Sequence, residues 1–280
     1  MGRDARPSSP ASGDPRPRDS WRRHAGDCCR YPIVAAANRL IVPNAGCYRP
    51  IEIVAPEGLI VSAQHPSPVA HRLAPGHVLL NVLFGALAKA IPGRLPAAYY
   101  AVSYVCSFQT MESSGARKVL VEIEVGGCGA HPNGDGASAH SFGMHNNASI
   151  PIEMIESSMP ITMVEYGLAP GTGGYGRHRG GLGLRRAWRI DSPAATFTAQ
   201  MDRFRFRPFG LNGGEAGAAG QLEILRDGKA QALHSKTPNM PLRKGDVIRL
   251  VTSGGGGLGP AGERQASLRR RDREQGYSVE

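Results

Sequence analysis

Cysteine is scarce in this chain and is not spaced for any framework. The five cysteines among 280 residues (Cys28, Cys29, Cys47, Cys106 and Cys128) are odd in number, show no CxxC spacing and follow no secretory signal. That excludes a disulfide scaffold and a zinc ribbon, and a reducing, cytoplasmic setting is expected. A long hydrophobic run is also missing. The longest, VLLNVLFGALAKAI at 78–91, is too short to span a bilayer and carries Lys89, so no membrane association is expected. The GGGG at 254–257 has no Lys-Ser or Lys-Thr behind it, which rejects a phosphate loop, and no ATP site is visible in this chain. No internal repeat recurs at a fixed period.

The central body has little net charge. The formal charge is +10, but residues 1–40 hold eight Arg against four Asp, and residues 264–280 hold five Arg against three acids. The two ends therefore carry +6 and the body +4. A body so close to balance argues against a nucleic-acid surface, and the charge of the ends is expected on solvated, disordered chain.

Glycine and proline, by contrast, are abundant. The 37 glycines and 22 prolines make up about a fifth of the chain, with 41% hydrophobic and 20% charged residues. Such a composition predicts a globular protein of strands and tight turns rather than a helical bundle. The fold expected is α+β, with one packed helix near residues 77–91 and a mainly antiparallel β C-terminal half. Three regions are expected: a disordered or non-native segment at 1–40, a folded region at 41–262, and a basic tail at 263–280.

Along the chain, IEIVAPEGLIV at 51–61 reads as a strand, a turn at Pro56-Glu57-Gly58 and a second short strand. Residues 78–91 repeat apolar side chains at helical intervals and stop at Pro92-Gly93. KVLVEIEV at 118–125 alternates, with Val119, Val121, Ile123 and Val125 on one face and Glu122 and Glu124 on the other. IPIEMIE at 150–156 reads as a strand or a first helical turn. ITMVEYGL, AWRI, ATFTAQM, QLEIL and DVIRLVT read as strands between glycine-rich turns.

Several constellations could carry chemistry. GTGGYG at 171–176 matches GxGxxG, but LAP precedes it and RHRGGLG follows, so no helix presents its amides to a pyrophosphate and a structural turn cluster is the better reading. His131, Asp135, His140 and His145 lie close in sequence, either as substrate contacts and hydrogen-bonding groups or as metal ligands, although their spacing fits no established ligand pattern. Asp135, between two glycines, suits either a ligand's close approach or an Asx-type turn. Arg49 and Glu52 flank Pro50, where the guanidinium could hold a carboxylate or imide oxygen or could pair internally with Glu52. Cys47 could serve as a nucleophile only with a lowered pKa; otherwise it is a small buried apolar group. MDRFRFRPFG at 201–210 alternates Arg with Phe, which predicts a strand packing its Phe residues inward rather than a base-stacking surface.

NAGCYRPIEIVAPEG at 44–58, GGCGAHPNGDGASAH at 126–140, GTGGYGRHRGGLGLRR at 171–186 and RFRFRPFGLNGGEAG together resemble the hydantoinase B family. These are the subunits of ATP-dependent hydantoinases, 5-oxoprolinases and acetone-type carboxylases. The resemblance runs from about Pro43 to Gly259 and covers the C-terminal part of a longer subunit. A domain is expected ahead of NAGCYRP in that family, and residues 1–40 stand in its place, as a truncated gene, a shifted frame or a wrong start would produce.

The resemblance implies ATP-dependent hydrolysis of a cyclic amide such as 5-oxoproline or a hydantoin. It also implies an oligomer that includes a hydantoinase A-type partner. ATP and Mg2+ are expected on that partner, no cofactor or metal on this chain, and any divalent metal in the family's N-terminal part. Asp135, His140 and His145 are the implied catalytic residues, and Arg49, Glu52 and His131 the implied substrate contacts. Asp135, His140 and His145 should then share one pocket with Arg49 or Glu52 nearby. The alternative is a non-catalytic remnant or scaffold that keeps only partner binding.

Overall fold

Apolar side chains at helical intervals become helix α2 (Leu73–Ala90), which follows a single turn, α1 (Ala45–Tyr48). Helix α2 begins earlier than the apolar period suggests, because Pro75 falls in the first turn, where no backbone N–H is required. By length and hydropathy α2 matches a membrane span. Its buried face nevertheless bears His77 and Asn81 beside Leu80 and Phe84. Asn81 Nδ2 donates to the Tyr99 carbonyl at 2.8 Å, and His77 Nδ1 lies 2.8 Å from the Tyr99 hydroxyl, so this face is docked on protein.

The computed structural model describes residues 44–69, 71–111 and 115–278, with residues 29, 30, 32–34 and 42. Of the 1–40 segment, only 29, 30 and 32–34 are described, and these are helical. The rest of that expectation lies outside the described residues.

The β-branched and aromatic runs form two antiparallel sheets. Strands β1 (Tyr104–Met111), β2 (Arg117–Glu124), β5 (Ala194–Gln200) and β8 (Lys236–Arg243) make a four-stranded sheet in the order β2-β1-β5-β8. Strands β3 (Ile161–Ala169), β4 (Gly183–Ile190), β6 (Gln221–Arg226), β7 (Lys229–Ala232) and β9 (Val247–Val251) make a second in the order β3-β4-β9-β6-β7. A short helix α3 (Ile152–Ser158) precedes β3, which settles the 150–156 ambiguity in favour of helix. Phe108, Phe197 and Trp188 pack together in the core, with ring centroids 5.0–5.4 Å apart.

Three expectations are corrected, and one strand is added. Residues 51–61 form no strand: Val54 and Ile60 stand 82% and 73% exposed, with no neighbouring strand to pair with among the described residues. Residues 201–210 also form no strand, because Arg203 adopts a left-handed φ of 68°, and Phe206 is exposed while Phe204 packs on the core. Strand β8 escapes sequence reading because it holds Pro238 and Pro241, which a sheet accepts only at an edge such as this one. The basic tail is folded: Ala261–Glu263 is a 3-10 turn, Ala266–Glu274 is helix α4, and Arg264 and Asp272 are buried.

Extended glycine-rich segments are hydrogen-bonded side by side as a further part of the core. Gly181 N–H donates to the Cys128 carbonyl at 2.8 Å, Gly255 N–H to the Gly181 carbonyl at 2.9 Å, and Gly174 N–H to the Gly255 carbonyl at 2.9 Å. A Cβ on Gly255 would lie 1.9 Å from the Cys128 carbonyl oxygen, so only glycine permits this approach. The glycines of 171–176 and 254–257 therefore bring backbone to backbone.

Candidate functional site

A cavity of about 400 Å3 opens between the segment after α2 and the glycine-rich loop after β2. Phe84, Leu95, Pro96 and Phe142 supply apolar walls, and Arg94, His131, Asp135 and His140 supply polar groups. Three of the residues expected at a site thus meet in one concavity. The loop is shaped by a tight turn in which His131 and Gly134 exchange backbone hydrogen bonds, both at 3.0 Å. The His131 Nδ1 accepts from Asn133 N–H at 3.3 Å. His140 is exposed, and its carbonyl accepts from the Cys128 thiol at 3.7 Å. Burial pushes that thiol up to about 12, so Cys128 lines the cavity as an apolar wall rather than a nucleophile.

Asp135 is half-buried and fully engaged. Its Oδ1 accepts from Arg179 N–H and Arg264 Nη1, both at 2.8 Å, and its Oδ2 accepts from Arg264 Nη2 at 2.9 Å and Arg271 Nη2 at 3.1 Å. A carboxylate offers about four acceptor positions, and here all are filled. Burial opposes the charge of Asp135, but the hydrogen bonds from Arg264 and Arg179 outweigh it and hold the carboxyl below its usual range. In this geometry Asp135 anchors its loop and presents no free base.

His145 lies elsewhere. Its Nδ1 is 3.0 Å from the Tyr100 hydroxyl, its Nε2 is 2.6 Å from Ser103 Oγ, and its ring is 4.0 Å from that of His77. Burial lowers its pKa to about 4, so the ring is neutral at pH 7. His145 does not line the cavity, and neither do Arg49 and Glu52, which are exposed in the stretch after α1. Asn44 caps α1, with Oδ1 accepting from Gly46 N–H at 2.9 Å, and the Cys47 thiol lies 3.9 Å from the Val42 carbonyl. The expected pocket shared by His145, Arg49 and the loop is not formed. Among the described residues no three His, Cys, Asp or Glu side chains gather as for a metal ion.

A second polar cluster was not anticipated from sequence. The alternation in β2 is real, but its buried face is the acidic one: Glu122 and Glu124 are each 2% exposed, whereas Val119, Val121 and Ile123 are exposed. Both carboxylates meet the buried Arg186 of β4 through its Nη1, and Trp188 Nε1 donates to Glu122 Oε2 at 2.6 Å. The guanidinium also stacks on the Tyr166 ring at 4.6 Å. One cation serves two buried carboxylates, so burial works against the charge of both. Burial raises Glu124 to about 7 against the opposing pull of Arg186, and Glu122 is raised as well. The only sequence signal for this was an acidic pair on an alternating strand beside an unplaced arginine.

Phe84, Arg94 and Phe142 are also cavity residues that sequence reasoning passed over. Arg94 left one signal, as a cation directly after the Pro92-Gly93 stop.

Two antiparallel sheets with few helices define a mixed α+β fold that solved structures share. The crystal structure of the ATP-dependent caprolactamase from Pseudomonas jessenii superposes with a TM-score of 0.78 over 89% of this chain and 45% of that one, at 23% identity. A nucleotide-free acetone carboxylase superposes less closely, with a TM-score of 0.56 at 16% identity over 75% of this chain and 33% of that chain. The sequence model of the hydantoinase B/oxoprolinase family matches residues 19–261, and the chain belongs to that family. The match begins ahead of Pro43, so part of the segment expected to lie outside the family falls within it.

An uncharacterised protein of Methanocaldococcus jannaschii is 34% identical over 80% of this chain and 39% of its own length. The B-type component of a D-/L-hydantoinase from a Pseudomonas strain is 32% identical over 79% of this chain and 37% of its own. A 5-oxoprolinase of Arabidopsis thaliana is 28% identical over 82% of this chain and 17% of its own. The chain thus spans less than two fifths of the length of these relatives.

Proposed function

We propose that this chain acts within a two-component ATP-dependent hydrolase, receiving a cyclic amide that a hydantoinase A-type partner has activated. The partner would hold ATP and Mg2+ and phosphorylate the amide oxygen; water would then add to the ring carbon, the C–N bond would break with a proton going to nitrogen, and hydrolysis of the acyl phosphate so formed would release phosphate. The cavity between Phe84, Phe142, His131 and His140 is the observation that supports this reading. Its volume of about 400 Å3 falls within the roughly 300–1,000 Å3 span of ligand pockets.

The residues suit a small polar ring. Phe84, Leu95 and Phe142 would cover its carbon face and exclude water. His131 would donate to the oxygen that carries developing charge, and Arg94 would hold an anionic substituent. His140 would move the proton that the attacking water loses or the ring nitrogen gains. Asp135 keeps the loop in place.

The test is reconstitution. The full chain, co-expressed with a hydantoinase A-type protein, is offered 5-oxoproline, hydantoin and caprolactam with MgATP, and ring opening and ADP release are followed. ATP-dependent ring opening that His140→Asn lowers about 100-fold, within the span of general acid-base effects, is the expected result. Turnover that His131→Asn and His140→Asn both leave intact would remove the cavity from the chemistry.

A further inference from the structure

We infer that Arg264 is a positioning residue of the cavity, and that the C-terminal helix is thereby part of the site although it lies beyond the matched family region. This rests on reading the cavity as the ligand site. Arg264 follows the last matched residue, 261, by three positions, and it is 7% exposed. Its two terminal nitrogens grip both oxygens of Asp135, at 2.8 and 2.9 Å, across 129 residues of chain. From the other side Asp272 Oδ2 accepts from Arg264 Nε at 2.9 Å and Nη2 at 2.6 Å. Asp272 belongs to α4 and also pairs with Arg179 at 3.5 Å, whose own N–H reaches Asp135. Arg271, one residue earlier on α4, adds a bond to Asp135 Oδ2.

The arrangement has two consequences for the cavity. A bidentate guanidinium–carboxylate pair fixes orientation as well as distance, so α4 sets the place of the loop that carries His131. The pair also neutralises Asp135, which lines the cavity beside His131 and Arg94. Without Arg264 the cavity would gain an under-compensated negative charge facing an activated, anionic intermediate. Lysine cannot replace the arginine fully, because it lacks the fork.

Steady-state kinetics of the reconstituted enzyme and hydrogen exchange of the full chain test this together. Arg264→Gln is expected to raise KM about tenfold with kcat within about twofold. Adding Asp135→Asn to it should leave KM at or somewhat below that of Arg264→Gln, because the clamp is already broken and only the stray charge is removed. The amides of His131 and Gly134 should exchange about tenfold faster or more in Arg264→Gln, while the β4 and β9 amides stay as they are. Additive losses in the double variant, with kcat and KM following the folded fraction, would overturn the inference. If Arg264→Gln does not fold, Arg264→Lys should shift KM and exchange in the same directions by a smaller factor, and identity with the parent overturns it. If the parent enzyme opens none of the three amides, the proposed function fails while the clamp is decided by exchange alone: unchanged His131 and Gly134 amides refute it.

Discussion

The indole N–H of Trp188 donates to Oε2 of Glu122 at 2.6 Å, joining β4 of one sheet to β2 of the other through two buried side chains. Trp188→Phe keeps most of the ring and removes the donor, leaving a buried carboxylate oxygen short of a partner. A loss of roughly 1–3 kcal/mol in urea unfolding is expected. Glu122→Gln combined with Trp188→Phe should cost less than the two separate changes summed, and strict additivity would show that the bond contributes nothing.

Glu124 makes stability depend on pH near neutrality. Its folded pKa is raised to about 7, so its contribution is fully present below the ordinary carboxylate range and is lost as pH rises through about 7. Between pH 5 and pH 8 the parent chain should lose on the order of 1–3 kcal/mol relative to Glu124→Gln. Parallel stability curves for the two proteins across that window would refute the assignment.

Asp135 acts in the opposite sense. The bonds from Arg264 and Arg179 lower its pKa, so the pair stabilises the fold above the normal carboxylate range and fails as pH falls through the lowered value. Asp135→Asn should flatten the acid limb of the stability curve and cost roughly 1–2 kcal/mol at pH 7, discounted because the carboxylate is only half-buried. An acid limb unchanged by the substitution would mean that the ion pair is not formed in solution.

Thiol reactivity should follow burial. Cys106 and Cys128 are buried with raised pKa values, Cys128 to about 12, whereas Cys47 is half-buried at α1. Iodoacetamide at pH 8 should modify Cys47 in the native protein and reach Cys106 and Cys128 only after unfolding, as read by peptide mass spectrometry. Native labelling of Cys128 would reopen a nucleophilic role for it.

Glycine at the backbone crossing admits no side chain. Gly255→Ala places a Cβ 1.9 Å from the Cys128 carbonyl oxygen and should cost about 4 kcal/mol or more, or prevent folding. Gly262→Ala meets open space at a non-left-handed φ and should stay within about 0.5 kcal/mol of the parent. Equal melting temperatures for the two variants would show that the glycine segments are loosely packed.

Much of the architecture was legible in local pattern. The α2 period, the strands at 161–169, 194–200, 221–226 and 247–251, and the antiparallel C-terminal half follow from spacing that sterics and side-chain alternation impose. The cavity residues His131, Asp135 and His140 were legible because polar groups between glycines mark a loop that can meet a ligand. Strand β8 was hidden by its prolines, and the apolar run at 51–61 resembled strands because nothing local reports a missing neighbour.

The sequence by itself determined the family, the strand alternation in β2 and the loop that lines the cavity, since each is written in residues close together. Tertiary structure alone decided which face of β2 is buried, because alternation defines two faces without ranking them, and Arg186 makes the acidic face the inner one. It alone decided that Asp135 is saturated and that His145 stands apart from the cavity. It also decided that the terminal arginines are not all solvated tail: Arg264 finds Asp135 across 129 residues, and an ion pair at that separation depends on coordinates that no local pattern carries.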